Sequence, residues 1–161
     1  MRRIKNPWAH LQGYSCIGCS PNNPIGLHLE FYEDGNDVVC KWKPTPNHQG
    51  WLNTLHGGIQ GLMLDDIASL VLFLKLQTTG VTSKMEVKYL KPVSTLDDYV
   101  MLRARIQKQM RNVVFIDAEL YNAAGELCTN ANLIYFSMVK KLDRETNAFV
   151  SCEVEGEEVL L

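Results

Sequence analysis

The hydrophobic pattern along the chain changes period twice. Leu27, Leu29 and Phe31 occupy alternate positions, and the alternation resumes at Val38, Cys40 and Trp42 after Asp34, Gly35 and Asn36. Period two puts such side chains on one face of a strand. Residues 27–32 and 37–43 therefore predict a β-hairpin across a tight turn. Residues 44–50 (PTPNHQG) read as loop. From about residue 56 to residue 77 the apolar positions run almost all round a helical wheel, which predicts one long buried helix rather than a surface one. Gly80, behind Thr78 and Thr79, is its expected stop. Period two then returns in four segments. Residues 84–90 align Met85, Val87 and Tyr89 ahead of Pro92. Residues 99–107 align Val100, Leu102, Ala104 and Ile106, with Arg103 and Arg105 opposite. Residues 113–121 align Val114, Ile116, Ala118 and Leu120. Residues 129–139 form the last long strand, after a turn at 122–127.

A hairpin, a buried helix and a run of antiparallel strands predict an α+β architecture. An antiparallel sheet can cover its core on one face, and a helix that is apolar all round fills that face if the sheet curls about it. No internal repeat or linker divides residues 1–161, so one domain is expected. Residues 1–22 lead into it. Residues 141–161 end in the acidic run EVEGEEVLL and are expected to be partly disordered.

Composition then excludes several classes. With 161 residues, 46% hydrophobic and 21% charged, the chain can bury a core of its own. A net charge of -2 gives no electrostatic case for nucleic acid or an anionic membrane. The opening MRRIKNPWAHLQGY lacks the apolar core of a secretory signal. The longest apolar stretch, Ile67 to Leu76, spans about half a bilayer and is broken by Lys75. A soluble cytoplasmic protein is expected. The five cysteines, an odd count, are expected as reduced thiols.

The candidate chemistry lies in LHGGIQGLMLDDI, residues 55–67. Gly57 and Gly58 stand at the predicted helix start, where the first N–H groups have no partner within the helix and the dipole adds partial positive charge. Glycine allows close approach to that backbone. The helix start is thus a candidate oxyanion hole. Asp65 follows Gly58 by seven residues, about two turns, and projects from nearly the same face. A carboxylate in a dry core is costly unless it is paired, hydrated or functional.

The same segment resembles the signature of the hot-dog-fold acyl-CoA thioesterases, in the branch typified by the phenylacetate-pathway thioesterase. CIGCSPNNPIGLHLEF (16–31) is similar to the Cys-x-x-Cys, Asn-Pro, Gly-Leu leading segment of many of these proteins. HQGWLNTLHGG (48–58) resembles their loop before the helix, and SKMEVKYLKPV (83–93) the strand after it. The resemblance covers most of residues 16–140. It implies the hot-dog fold, an antiparallel sheet wrapped around one long central helix. It also implies hydrolysis of a thioester to a carboxylic acid and free coenzyme A, with no metal and no cofactor beyond the coenzyme A of the substrate. The Gly57 N–H would polarise the thioester carbonyl, beside Gly58. His56 would stand near the leaving thiolate or hold the loop. Asp65 would deprotonate water or attack directly, and Thr82 or Ser83 would help to hold the water. A homodimer, often a dimer of dimers, with the site across the interface is further implied. One departure is visible. Many relatives carry an Asn six residues before the His as a second carbonyl contact, where this chain has Gly50. His48, Gln49 or Asn53 could substitute, and Asn53 itself stands where glycine is usual.

Other candidates read more simply. Cys16 and Cys19 have zinc-knuckle spacing, but no second Cys or His pair follows at a fitting distance, so a metal-free pair is expected. Cys40 and Cys128 fit small core residues, His48 a loop residue, and Arg103, Arg105, Lys108 and Arg111 a solvated face. Two rival functions fit the same fold. A non-catalytic acyl-CoA sensor usually carries an added DNA-binding segment, for which the residues before 16 are too few. An enoyl-CoA hydratase calls for an aspartate–histidine pair that is not found beside Asp65.

Overall fold

A computed structural model describes residues 1–161. The sheet has eight antiparallel strands: β1 (Arg2–Ile4), β2 (Tyr32–Asp34), β3 (Asp37–Trp42), β4 (Gly80–Tyr89), β5 (Val100–Met110), β6 (Val113–Tyr121), β7 (Leu127–Ser137) and β8 (Val154–Glu158). Their order across the sheet is β4-β7-β6-β5-β3-β2-β1-β8. Helix α1 (Gly57–Val71) lies in the concave face and a short α2 (Lys140–Asn147) follows β7. This is the helix wrapped by an antiparallel sheet that the hydrophobic pattern predicts, and the hot-dog fold that the resemblance implies.

The strict alternation in β6 is realised as strictly alternating burial, with Val114, Ile116, Ala118 and Leu120 inward. The same holds for Val100, Leu102 and Ala104 of β5. These strands and Met63, Leu64, Ile67, Ala68 and Val71 of α1 form the centre of one 29-residue buried cluster. Leu27, Leu29 and Phe31 are buried as their spacing requires. They lie in an irregular strap, however, because His28 adopts the left-handed conformation (φ 52°) and breaks the extended run. Only β2, β3 and the Gly35–Asn36 turn form the hairpin.

Two expectations are corrected and one omission is filled. The helix does not stop at Gly80. It loosens into a π-helical turn over Leu72–Leu76, ends at Gln77 in the left-handed conformation (φ 51°), and Gly80 instead opens β4. A Cβ at Gly80 would lie 2.7 Å from the Phe136 carbonyl oxygen, so glycine lets β4 meet β7 there. Secondly, residues 141–161 are not a loose tail: they supply most of α2 and all of β8, and β8 pairs with β1. Asp143, almost fully buried, accepts hydrogen bonds from the Thr79 N–H (2.6 Å), the Thr79 and Thr78 hydroxyls and the Asn147 amide, and so ties α2 to the chain entering β4. Thirdly, β1 and β8 are strands that alternation did not reveal.

The two edges of the sheet differ. β4 is ten residues long and leaves Val81, Met85 and Tyr89 exposed, next to Phe136 of β7. β8 is five residues long and carries Glu155, Glu157 and Glu158. No helix is long and apolar enough to cross a membrane.

Candidate active site

The loop before α1 is fastened at several points. Gly50 N–H donates to the Thr54 carbonyl at 2.9 Å, Leu55 N–H to the Val93 carbonyl at 2.8 Å, and His56 N–H to the His48 carbonyl at 2.9 Å. Asn53 sits in the left-handed conformation (φ 59°), which glycine takes freely and Asn better than most residues. Its position is therefore a turn position. The Asn53 N–H donates to Gln49 Oε1 at 3.0 Å, so Gln49 is engaged in holding the same turn. Gly50 faces the ring of His56: a Cβ there would lie 3.1 Å from His56 Cδ2. The glycine that replaces the expected Asn thus makes room for the histidine.

His56 is the N-cap of α1. Its Nδ1 accepts from the Gly58 N–H at 2.8 Å, which leaves the proton of the neutral ring on Nε2. A Cβ at Gly58 would meet that ring at 3.0 Å. The Gly58 N–H is accordingly consumed by the cap, whereas the Gly57 N–H, the first of the helix, donates to no group of this chain. The Gly57 carbonyl accepts from Tyr89 OH at 2.7 Å, and the Tyr89 ring would lie 3.2 Å from any Cβ at Gly57. These residues line a groove of ≈ 830 Å³ whose wall includes Gln49, Gly50, Trp51, Gln60 and Lys91.

Asp65 lies two turns further along α1, beside β4. Its Oδ1 accepts from Thr82 Oγ1 at 2.8 Å and from Tyr135 OH at 2.6 Å. Ser83 makes no such contact. It is the extra residue of a bulge at which the β4–β7 register shifts, between Thr82 and Lys84. Of the two candidate hydroxyls, only Thr82 reaches the carboxylate. Tyr135 went unrecognised in the sequence, since it falls on the inward face of β7 among apolar residues. The available signal was a phenol at a fully buried strand position, which needs a polar partner. Burial and the adjacent Asp65 both raise the Tyr135 pKa, so the phenol remains a donor.

The other sequence candidates fall outside this cluster. His48 caps the short turn Pro46–His48 through Thr45 and packs edge-on against Trp42. Arg103 pairs with Asp34 and Asp37, and Arg105 with Glu119. Cys40, Cys128 and Cys152 are buried, and all five cysteines are free.

An antiparallel sheet wrapped around one helix, with a glycine-opened helix start and a carboxylate on the next turns, defines a hot-dog protein. Known proteins agree. Residues 52–129 match the family model described as Thioesterase superfamily. Human acyl-coenzyme A thioesterase 13 is 29% identical over 92 residues, which cover 56% of this chain and 65% of that protein; the mouse protein is 28% identical over 86 residues. Among solved structures, a protein of Streptococcus pneumoniae described as a hypothetical thioesterase and solved with coenzyme A superposes with a TM-score of 0.63 at 25% identity, covering 68% of this chain and 88% of that one. Zebra fish thioesterase superfamily member 2 gives a TM-score of 0.61 at 24% identity, with 69% and 81% covered. The fold is that of the hot-dog thioesterases, and residues 52–129 carry the thioesterase superfamily pattern, as the sequence resemblance implied.

Proposed function

We propose that the protein hydrolyses an acyl-CoA thioester to a carboxylic acid and free coenzyme A, at a site built by two protomers. The observation that carries this reading is a separation. The free Gly57 N–H and the Asp65 carboxylate are eight residues apart on one helix, about 12 Å at 1.5 Å per residue. One carbonyl cannot touch both. The exposed apolar edge at β4 supports a second copy docking there, antiparallel about a two-fold axis. Gly57 of one protomer would then face Asp65 of the other.

At such a site the Gly57 N–H receives the developing oxyanion, strengthened by the helix dipole. Asp65 takes a proton from water or attacks the carbonyl carbon itself. Thr82 and Tyr135 fix its Oδ1, leaving Oδ2 for the reacting partner. The Nε2–H of His56 is a donor for the departing thiolate. A thioester carbonyl is electrophilic enough for one oxyanion donor and one carboxylate to suffice. The coenzyme A of the Streptococcus pneumoniae neighbour supports the choice of carrier. The Cys-x-x-Cys, Asn-Pro, Gly-Leu segment supports the phenylacetate-type branch, and a dimer of dimers extends the same two-fold logic.

The test is thiol release over a panel of aliphatic and aryl acyl-CoAs. Release well above background is expected, lowered by roughly 10² or more in Asp65→Asn. Tight acyl-CoA binding without release would establish a sensor instead.

A further inference from the structure

Asp66 points away from Asp65 and into the loop that holds the Cys-x-x-Cys motif. Cys16 Sγ stands 3.6 Å from Asp66 Oδ1 and 3.2 Å from Cys19 Sγ, and the Cys19 N–H donates to Cys16 Sγ at 3.4 Å. The three groups lie within 4.8 Å of one another. Tyr14 OH is 3.3 Å from Cys19 Sγ. Gly18 closes the loop over the carboxyl: a Cβ there would lie 2.5 Å from Asp66 Oδ2. That Oδ2 is buried and has no hydrogen-bond partner. The cluster opens onto a groove of ≈ 570 Å³ lined by Trp8, Tyr14 and Phe73. Thioester hydrolysis at Asp65 uses none of these groups.

The arrangement decides where the single negative charge sits. A carboxylate oxygen buried without a donor is expensive, so burial, reinforced by charge on Cys16, pushes the Asp66 carboxyl up to about 8. Cys16 Sγ, by contrast, receives the Cys19 thiol and backbone N–H groups, which hold it down to about 5. Cys19 donates to Cys16, is packed against the core, and is raised. These shifts favour placing the one negative charge on Cys16 rather than on Cys19 or Asp66.

We propose that Cys16 and Cys19 form a thiol–disulfide exchange site for low-molecular-weight disulfides, with Cys16 the attacking sulfur, Cys19 the resolving sulfur and Asp66 the proton carrier. The Cys16 thiolate attacks one sulfur of RS–SR. A Cys16–S–S–R bond forms, the RS–SR bond breaks, and the leaving RS⁻ takes the proton of Asp66. The charge on Cys16 is then gone and Asp66 is a carboxylate. It accepts the Cys19 proton as Cys19 Sγ attacks Cys16 Sγ; the second RS⁻ leaves and takes that proton. Two electrons pass from the dithiol to the disulfide, giving two RSH and a Cys16–Cys19 bond. The sulfurs must close from 3.2 Å to about 2.05 Å. The cluster offers three ligand atoms, two sulfurs and one carboxyl oxygen, one short of the four that a structural zinc takes.

The experiment treats the reduced full-length protein with oxidised glutathione, followed by acid quench, alkylation and peptide mass spectrometry. In wild type Cys16 and Cys19 should become joined and carry no glutathione. Cys19→Ser should stop with glutathione on Cys16, whereas Cys16→Ser should react at least about tenfold more slowly at Cys19. Asp66→Asn should retain the first step and accumulate the mixed disulfide, about tenfold slower to resolve. Equal adduct rates in the two cysteine variants would overturn the assignment. So would wild type that forms no Cys16–Cys19 bond, or about one zinc per chain in protein purified without chelator.

Discussion

Asp65 and Asp66 are adjacent in the chain and about 100° apart around the helix, and that rotation sends them into different chemistries. Asp65 meets two hydroxyls beside the open edge of β4, while Asp66 meets two sulfurs under a loop. Asp65→Asn should lower kcat for thioester hydrolysis by roughly 10² or more, in the range of general-base losses. Asp66→Asn should do much less. Equal losses in two folded variants would defeat the assignment. Tyr135 OH holds Asp65 Oδ1; if Asp65 acts as proposed, Tyr135 positions it, and Tyr135→Phe should lower kcat by about tenfold and leave KM nearly unchanged. Because Tyr135 and Thr82 hold the same oxygen, the double variant with Thr82→Val should lose less than the product of the single losses. Independent losses would mean that the two hydroxyls do not share that task. The helix glycines and Asp65 were legible in the sequence because they are close along it. Tyr135 was not, since its partner lies 70 residues away.

At the scale of elements, β6 was legible residue for residue: a strict alternation runs from residue 113 to 121 and stops at the turn around Gly125. β1 and β8 were not, because three- and five-residue strands give no periodicity and are fixed by partners at the other end of the chain. The acidic composition of the C-terminal segment concealed its anchor, the buried Asp143. Burial alone would raise that carboxyl, but the donors from Thr79, Asn147 and Thr78 outweigh it and hold its pKa below the ordinary value. The native state therefore binds this proton less tightly than the unfolded chain does. The stabilisation is complete above the ordinary aspartate pKa of about 4 and is lost as pH falls through the lower native value. Asp143→Asn should cost about 1–3 kcal/mol at pH 7, the cost of buried donors left unmatched. Thermal melts down to about pH 3 should show the gap from wild type narrowing. A gap that does not change with pH would mean that the carboxylate charge is not what holds α2.

For the whole molecule, the proposed two-protomer site has a test that single variants cannot supply. Asp65→Asn and Gly57→Pro should each inactivate their own homodimer, with circular dichroism confirming that both fold. In a mixed dimer one site carries both lesions and the other carries neither. Mixing by co-expression should therefore restore up to about a quarter of wild-type activity for random pairing. If each site were built within one chain, every site would keep a lesion and verified mixed dimers would stay inactive.

The unequal edges of the sheet bear on the size that such an assembly can reach. A subunit with two adhesive ends adds copies indefinitely and becomes a filament, as a strand ladder does in amyloid. Here one end is long and exposes Val81, Met85 and Tyr89 among Lys84, Glu86 and Lys88, whereas the other is short and carries Glu155, Glu157 and Glu158 with no basic residue. Like charges would meet if two such ends approached. If two copies pair through β4 as proposed, growth through the sheet would terminate at two copies, and the acidic strand would act as an end cap against polymerisation.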